Sequence, residues 1–136
     1  MRIGVMMLGS SLLLAACQTT QTVENPMQMA VSFNWNDTKS CSSTSPEINI
    51  ENVPGNTRFV DIRLIDLDAP AFNHGGSVVG YDGSGLIKKG ALSNYTGPCP
   101  PSGTSHRYQF TVRALNADKT LILGTGMSTA TFPSTR

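Results

Sequence analysis

The sequence predicts an all-β protein: an antiparallel β-sandwich of about seven short strands, with little or no helix outside the N-terminal segment. Apolar residues recur at every second position in short runs, which is the period of a half-buried strand. Turn-forming residues separate these runs, and the chain contains 13 Gly and 8 Pro in 136 residues. No stretch shows the 3.6-residue period of a helix, so a sandwich is favoured over a parallel α/β sheet.

Seven apolar runs define the predicted strands. In chain order they contain Val31, Phe33 and Trp35; Ile48 and Ile50; Val60, Ile62 and Leu64; Val78 and Val79; Tyr108, Phe110, Val112 and Ala114; Leu121 to Leu123; and Ala130 and Phe132. The turns between them include residues 36–37, 54–56, 82–85 and 98–103. Asn, Asp, Pro, Gly and Ser dominate these turns because they adopt turn backbone conformations at low cost.

The first 16 residues predict an export signal. Arg2 precedes an uncharged run from Ile3 to Ala16, which is shorter than the roughly 20 residues needed to span a bilayer as a helix. The run ends in Leu14-Ala15-Ala16-Cys17, which resembles a bacterial lipobox, in which the cysteine is lipid-modified and becomes the N-terminus. We therefore expect a lipoprotein of the bacterial cell envelope. The alternative is an ordinary signal, uncleaved or cleaved after the two alanines.

The residues after Cys17 suggest where the lipoprotein goes and where its domain begins. Gln18 in place of Asp after the cysteine favours sorting to the outer membrane, facing the periplasm. Residues 18–28 are polar and lack periodicity, so residues 17–28 are predicted to be the lipidated cysteine and a flexible tether. The folded domain is then predicted over residues 29–136.

Cys41 and Cys99 are the two thiols that remain once Cys17 carries lipid. In an oxidising envelope they are predicted to form a disulfide. The alternatives are two free thiols or a metal site, and both are disfavoured because neither cysteine has a second Cys or a His at ligand spacing.

The charge balance excludes partners that are bound mainly through phosphate charges. The chain has 10 Lys plus Arg and 9 Asp plus Glu, and Arg2 belongs to the signal, so the remaining charges cancel. A neutral domain has no long-range attraction for nucleic acid, so we expect no nucleic-acid partner. Contact with a membrane is expected only through the lipid anchor.

Two predicted strands carry polar residues on the continuation of their apolar faces. Counting by twos, the face from Val60 to Leu64 continues to Asp66 and Asp68, while the face from Ala114 to Tyr108 runs back to His106. If the strands are neighbours, Asp66 and His106 meet at one end of the sandwich, with His74 supplied by the loop after Pro70. The alternative is that the two aspartates cap a turn and both histidines are solvated.

The motifs around these residues resemble those of the phosphatidylethanolamine-binding protein family, also called the Raf-kinase-inhibitor-like family, in its bacterial branch. They are Asp66-Leu67-Asp68-Ala69-Pro70, then His74, then the run from Gly97 to Gly103, then His106-Arg107-Tyr108. The resemblance covers about residues 53–123. It implies a small pocket at the end of a central sheet that accepts phosphate, acetate or a phosphoryl head group. The residues implied to line the pocket are Asp66, Pro70, His74, Pro100, His106 and Tyr108. Asp68 and Arg107 are implied to form a supporting ion pair.

The chain departs from the family pattern in three places. Leu67 stands where the family has Pro, and Gly75-Gly76 stand where it usually has an aromatic residue. The C-terminal helical region that the family commonly has is missing, so we expect a short form that lacks part of one pocket wall.

Two functions remain from the sequence. The first is an envelope lipoprotein that binds a small anion or a phosphoryl head group without catalysis. A phosphoryl group that carries a proton can donate it to Asp66, while the imidazoles of His74 and His106 donate to its oxygens. The second is a structural or protein-interaction lipoprotein on the same scaffold, with its protein partner unspecified.

No enzymatic activity, catalytic residue, cofactor or metal is expected. Asp66, His74 and His106 have the ligand types of a two-histidine, one-carboxylate metal site, but strand parity does not fix the geometry such a site requires. Ser102 and Ser105 lie near His106, but neither sits in a Gly-x-Ser-x-Gly nucleophile elbow.

Overall fold

The computed structural model describes residues 17–134, which form eight strands. The strands are β1 (Gln21–Gln28), β2 (Ala30–Phe33), β3 (Ile48–Glu51), β4 (Phe59–Asp66), β5 (Asn73–Gly80), β6 (Leu86–Ile87), β7 (His106–Leu115) and β8 (Leu121–Phe132). Over this range no helix forms that could cross a membrane. The predicted signal peptide lies outside the described residues.

The strands build two sheets, which confirms the all-β prediction. The larger sheet has the order β1-β8-β7-β4-β5, and the smaller one has the order β2-β3-β6. All pairings are antiparallel except that of β1 with β8, which is parallel. The strand count differs from the prediction for two reasons. The polar strand β1 and the two-residue strand β6 were not predicted, and the two runs predicted at residues 121–123 and 130–132 form one strand, β8.

Strand β1 corrects the predicted flexible tether. Gln21 pairs with Leu121, and Gln28 pairs with Thr125, so most of residues 18–28 belong to the larger sheet. The tether prediction was wrong here because an edge strand needs only backbone hydrogen bonds and no apolar face of its own. Gly126 of β8 lets Met29, the residue after β1, approach closely, since a Cβ at Gly126 would lie 2.6 Å from the Met29 carbonyl oxygen.

The core lies between the two sheets and contains a cluster of aromatic side chains among its aliphatic residues. Phe33 of β2 contacts Trp35 and Phe110 edge-on, with ring centroids 4.8 Å apart in each pair. The Trp35 ring also meets Tyr108 and Phe132, each at 6.0 Å. Such edge-to-face contacts add to the hydrophobic stabilisation of the core. They hold the smaller sheet against the start of β7.

Strands β4 and β7 are paired along the whole length of β4, which brings the two polar strand ends together. Phe59 pairs with Leu115 at one end, and Asp66 pairs with Tyr108 at the other. At about 3.4 Å per residue, Phe59 and Asp66 are about 24 Å apart along the strand. A group bound at one end of β4 therefore does not reach the side chains at the other end.

Candidate functional site

Asp66 is the last residue of β4 and the centre of the site. Its side chain faces inward because it shares the parity of Ile62 and Leu64, and the residue is 3% exposed. Oδ1 accepts the backbone N–H groups of Asp68 and Ala69, each at 2.9 Å. The chain therefore turns immediately after β4, and Asp66 caps this turn. This part of the alternative drawn from the sequence is correct. That turn is compatible with the cluster, because the second carboxylate oxygen points elsewhere.

His106, the first residue of β7, binds that second oxygen. Its Nδ1 lies 2.7 Å from Asp66 Oδ2, so the predicted approach of the two side chains is confirmed. Burial alone raises the pKa of Asp66, but the His106 hydrogen bond and the two backbone N–H groups outweigh it and hold the pKa below its ordinary value. The carboxylate is thus ionised and His106 Nδ1–H is the donor. The imidazole is partly exposed, which leaves Nε2 for another partner.

His74 lies in β5 and not in the loop where the sequence placed it, because β4 pairs with residues from Asn73 onward. The residue is 2% exposed. Its Nδ1 lies 2.8 Å from the Thr96 carbonyl oxygen, and a carbonyl can only accept, so Nδ1 carries a proton. The Nε2 atom faces Asp66 Oδ2 at 4.0 Å, which is too far for a direct hydrogen bond.

Tyr108 forms the floor of the cluster. It is fully buried, and its ring contacts His74 edge-on at 5.4 Å and stacks on His106 at 6.3 Å. Burial first, and then the nearby Asp66 carboxylate, raise the pKa of Tyr108 to about 12. The hydroxyl is therefore protonated, and within residues 17–134 it has no hydrogen-bond partner at bonding distance.

Phe72 is a site residue that the sequence interpretation missed. Its ring centroid lies 4.6 Å from that of His74, and the residue is 53% exposed. A large apolar residue in a turn, two positions after Pro70, was the available signal. Phe72 thus places an aromatic ring beside His74 from the residue two positions before it.

The glycines after His74 have a backbone explanation. Gly75 and Gly76 both adopt positive φ, at 70° and 139°. A Cβ at Gly75 would overlap the Asn94 carbonyl oxygen, and a Cβ at Gly76 would overlap that of Ile62. No aromatic residue fits at either position, so this departure from the family pattern follows from local packing.

Asp68 and Arg107 form the predicted ion pair. Arg107 Nη2 donates to Asp68 Oδ1 at 2.7 Å, and the Arg107 backbone N–H donates to Oδ2 at the same distance. Hydrogen bonding to Arg107 lowers the pKa of Asp68 to about 2. Leu67, between the two aspartates, donates its N–H to the Arg107 carbonyl at 2.8 Å, a bond that a proline there could not make.

The loop before β7 is held by a disulfide. Cys41 and Cys99 are bonded, with Cα atoms 4.5 Å apart, which confirms the predicted pair. The Cys41 N–H also donates to the Pro98 carbonyl at 2.7 Å. Pro100 in this loop is half-buried, and Pro70 after β4 is exposed. Their ligand-binding role stays a prediction.

Two concavities lie at the other end of β4. One of about 650 Å³ is lined by Phe59 and Tyr81, and one of about 490 Å³ is lined by Thr57 and Tyr81. Asp66, His74 and His106 are not among the residues that line either of them. Across residues 17–134, no three His, Cys, Asp or Glu side chains are grouped in a way that could hold a metal ion.

These features define a class: a small β-sandwich protein with a buried carboxylate, two imidazoles and a phenol gathered at one end of its larger sheet. The sequence profile of the phosphatidylethanolamine-binding protein family matches residues 19–134. The chain therefore belongs to this family, in agreement with the resemblance seen in its motifs. Comparison with curated protein sequences finds no significant match.

Two solved structures share the fold. A putative phosphatidylethanolamine-binding protein homolog from Chlamydia trachomatis, CT736, has a TM-score of 0.57 and 17% sequence identity. YbcL from E. coli, described as a new member of the mammalian PEBP family, has a TM-score of 0.58 and 18% identity. Each alignment covers 79% of this chain and 99% of the other. At these identities the likeness shows a shared fold.

Proposed function

We propose that the protein binds a small anion, of the phosphate or phosphoryl head-group type, at the cluster of Asp66, His74 and His106, and that it catalyses no reaction on it. One observation carries the proposal. His74 Nε2 and Asp66 Oδ2 face each other at 4.0 Å without a direct hydrogen bond, although both residues are buried. Asp66 Oδ2 already accepts from His106 Nδ1–H, whereas the buried Tyr108 hydroxyl, whose ring contacts His74, has no partner among residues 17–134. Buried polar atoms without a partner are normally satisfied by a bound group or water.

The hydrogen-bond pattern defines what the ligand must bring. With Nδ1–H committed to Thr96, a neutral His74 presents a lone pair at Nε2, and ionised Asp66 presents another. Two facing acceptors are bridged by a group with two donor hydrogens, and by an anionic oxygen only if a proton lies between it and at least one of the acceptors. The proton can sit on the ligand, as in a monoprotonated phosphoryl group, or on His74. In both cases the complex holds one proton between the anion and these two acceptors.

Two other groups complete the site. The Tyr108 hydroxyl is a protonated donor without a partner among the described residues, and His106 Nε2 is directed away from its bond to Asp66. Phe72 presents an exposed aromatic face beside His74. This combination suits a polar head group that carries a short apolar substituent.

The test is a titration of the protein with phosphate, acetate and phosphoethanolamine, followed by NMR of the imidazole and backbone resonances. We expect shifts at His74, His106 and Ala69, and tighter binding at pH 6 than at pH 8. Asp66→Asn should abolish these shifts. Asp61→Asn is the matched control, because Asp61 is also a buried carboxylate of β4 but pairs with Arg63 and Arg113. Loss of binding in both variants to the same degree would contradict the proposal.

A scaffold function has one observation in its favour. Both oxygens of Asp66 already accept hydrogen bonds within the protein, and Asp68 ties the turn after β4 to the start of β7. On this alternative the cluster only stabilises the end of the sheet. The absence of any ligand-induced shift at His74 and His106, at either pH, would favour it.

We further propose that the protein is anchored in the bacterial envelope through lipid on Cys17. The support is the lipobox-like sequence and the position of Cys17, which is exposed and precedes β1 at the edge of the sheet. An anchor there leaves both sheets free to fold.

A further inference from the structure

The groove at the Phe59 end of β4 combines an apolar wall with basic residues. Its volume is about 650 Å³, within the range of sites that hold small organic ligands. Six of its lining residues are apolar, namely Phe59, Val79, Leu86, Ile87, Ala91 and Ala117. It lies about 24 Å from Asp66 along the strand. The groove is therefore separate from the proposed anion site.

Three charged residues line the groove, and their sum is positive. Arg58 and Lys88 are cationic and Asp82 is anionic. Within residues 17–134, neither Arg58 nor Lys88 forms an ion pair with an acidic side chain. Hydrogen bonds from Ser84, through its side chain and its backbone N–H, lower the pKa of Asp82 and keep it ionised. The groove thus has one net positive charge beside an apolar surface.

A second concavity, of about 490 Å³, adjoins the groove and shares three of its residues, Arg58, Tyr81 and Asp82. Thr57 lines this concavity and is 3% exposed, and its hydroxyl has no hydrogen-bond partner in the described part of the chain. A buried hydroxyl without a partner costs free energy that a bound polar group recovers. It supplies a hydrogen-bonding group close to Arg58.

We propose that this groove is a second binding site, which takes an amphipathic organic monoanion: an aliphatic carboxylate whose chain packs on the apolar wall and whose head lies near Arg58 and Lys88. The apolar residues account for the chain, and the positive sum of charges selects a single negative head group. Asp82 opposes the head group, so affinity is moderate and sensitive to its charge. A neutral amphiphile of the same length gains no electrostatic attraction to Arg58 and Lys88 and therefore binds more weakly.

The groove lies at the end of the molecule where the described chain begins. Thr20 Oγ1 donates to the Lys119 carbonyl at 3.0 Å, and Lys119 Nζ lies 4.3 Å from the centre of the Phe59 ring. Cys17 is three residues before Thr20. An anchor at Cys17 would therefore lie close in the chain to this end of the molecule.

The test uses the full chain carrying Cys17→Ser, so that no covalently attached acyl chain competes for the groove. Decanoate, 1-decanol and acetate are titrated separately, with calorimetry for affinity and backbone NMR for location. We expect decanoate to shift Gly80, Leu86 and Ala117, and to bind at least about threefold more tightly than decanol. Acetate should leave these three residues unchanged.

Matched charge variants then test the head-group contact. Lys88→Glu should weaken decanoate binding about three- to tenfold, while Lys89→Glu, one residue away and outside the groove lining, should change it less than about twofold. Asp82→Asn should strengthen binding, a gain that general destabilisation cannot produce. Equal effects of the two lysine variants, equal affinity for decanol, or decanoate shifts confined to Ala69 and His106 would each overturn the proposal.

Discussion

His106 Nδ1 donates to Asp66 Oδ2 at 2.7 Å, joining the first residue of β7 to the last residue of β4. The bond exists because the two strands are paired in register from Phe59 to Asp66. It keeps Asp66 ionised in a buried position and fixes the imidazole orientation. The chemistry of the site and the stability of this sheet end therefore depend on the same contact.

Replacing Asp66 should reveal this dependence as a pH effect. The pKa of Asp66 is lowered by folding, so the carboxylate stabilises the folded state above its unfolded pKa of about 3.9, and this contribution is lost as the pH falls through the folded pKa. We expect Asp66→Asn to lose about 2 kcal/mol at pH 7. Urea unfolding should show this difference shrinking below about pH 4. Glu24→Gln on the exposed face of β1 is the control, and a loss independent of pH would contradict the expectation.

The disulfide should contribute strongly to stability. It joins residues 58 positions apart, and a loop of that size constrains the unfolded chain by about 4 kcal/mol in the entropic description. The double variant Cys41→Ala/Cys99→Ala should therefore unfold at a much lower urea concentration. The wild-type protein under reducing conditions should show the same loss. If reduction leaves the unfolding midpoint unchanged, the disulfide is not a stabilising element.

Gly76 should tolerate no side chain, whereas Gly80 in the same strand should. A Cβ at Gly76 overlaps the Ile62 carbonyl at a φ of 139°, while nothing lies within 4 Å of a Cβ at Gly80. We expect Gly76→Ala to cost about 2–3 kcal/mol and Gly80→Ala to be close to neutral. Thermal unfolding of both variants measures the difference. Similar melting temperatures would show that β5 can shift away from β4.

Phe72 should matter for ligand binding and little for stability. It is 53% exposed, so Phe72→Ala should change the free energy of unfolding by less than about 0.5 kcal/mol. Its contact with His74 should nevertheless make phosphoethanolamine bind several-fold more weakly in the variant. Met127→Ala, at an exposed apolar residue of β8, is the control. Unchanged affinity in Phe72→Ala would remove Phe72 from the site.

Cys17→Ser should abolish membrane attachment without unfolding the domain. Cys17 precedes β1 and is exposed, so no core contact is lost. Fractionation of cells with a carbonate wash, followed by mass spectrometry of the N-terminal peptide, provides the measurement. A processed Cys17→Ser variant that stays with the membrane after the wash would place the anchor elsewhere.

The alternation of apolar and polar residues predicted much of the central sheet. The alternation from Val60 to Leu64 and from Tyr108 to Ala114 predicted both central strands, and its continuation led to Asp66 and His106. This worked because a strand places alternate side chains on one face, so a buried face is visible in the residue order. It failed for β1, whose residues are mostly exposed and whose pairing relies on backbone groups common to all residues.

The sequence by itself determined the all-β class, the two central strands, the disulfide partners and the motif residues of the family. The class and the strands follow from residue types and spacings, the disulfide partners from the cysteine count once Cys17 is set aside, and the motif residues from the family resemblance. Only the tertiary structure decided that β1 joins β8, that His74 lies in β5 with Nε2 opposite Asp66, and that a charged apolar groove forms at the far end of β4. These features depend on distances between segments far apart in the chain, which alternation within one segment does not encode.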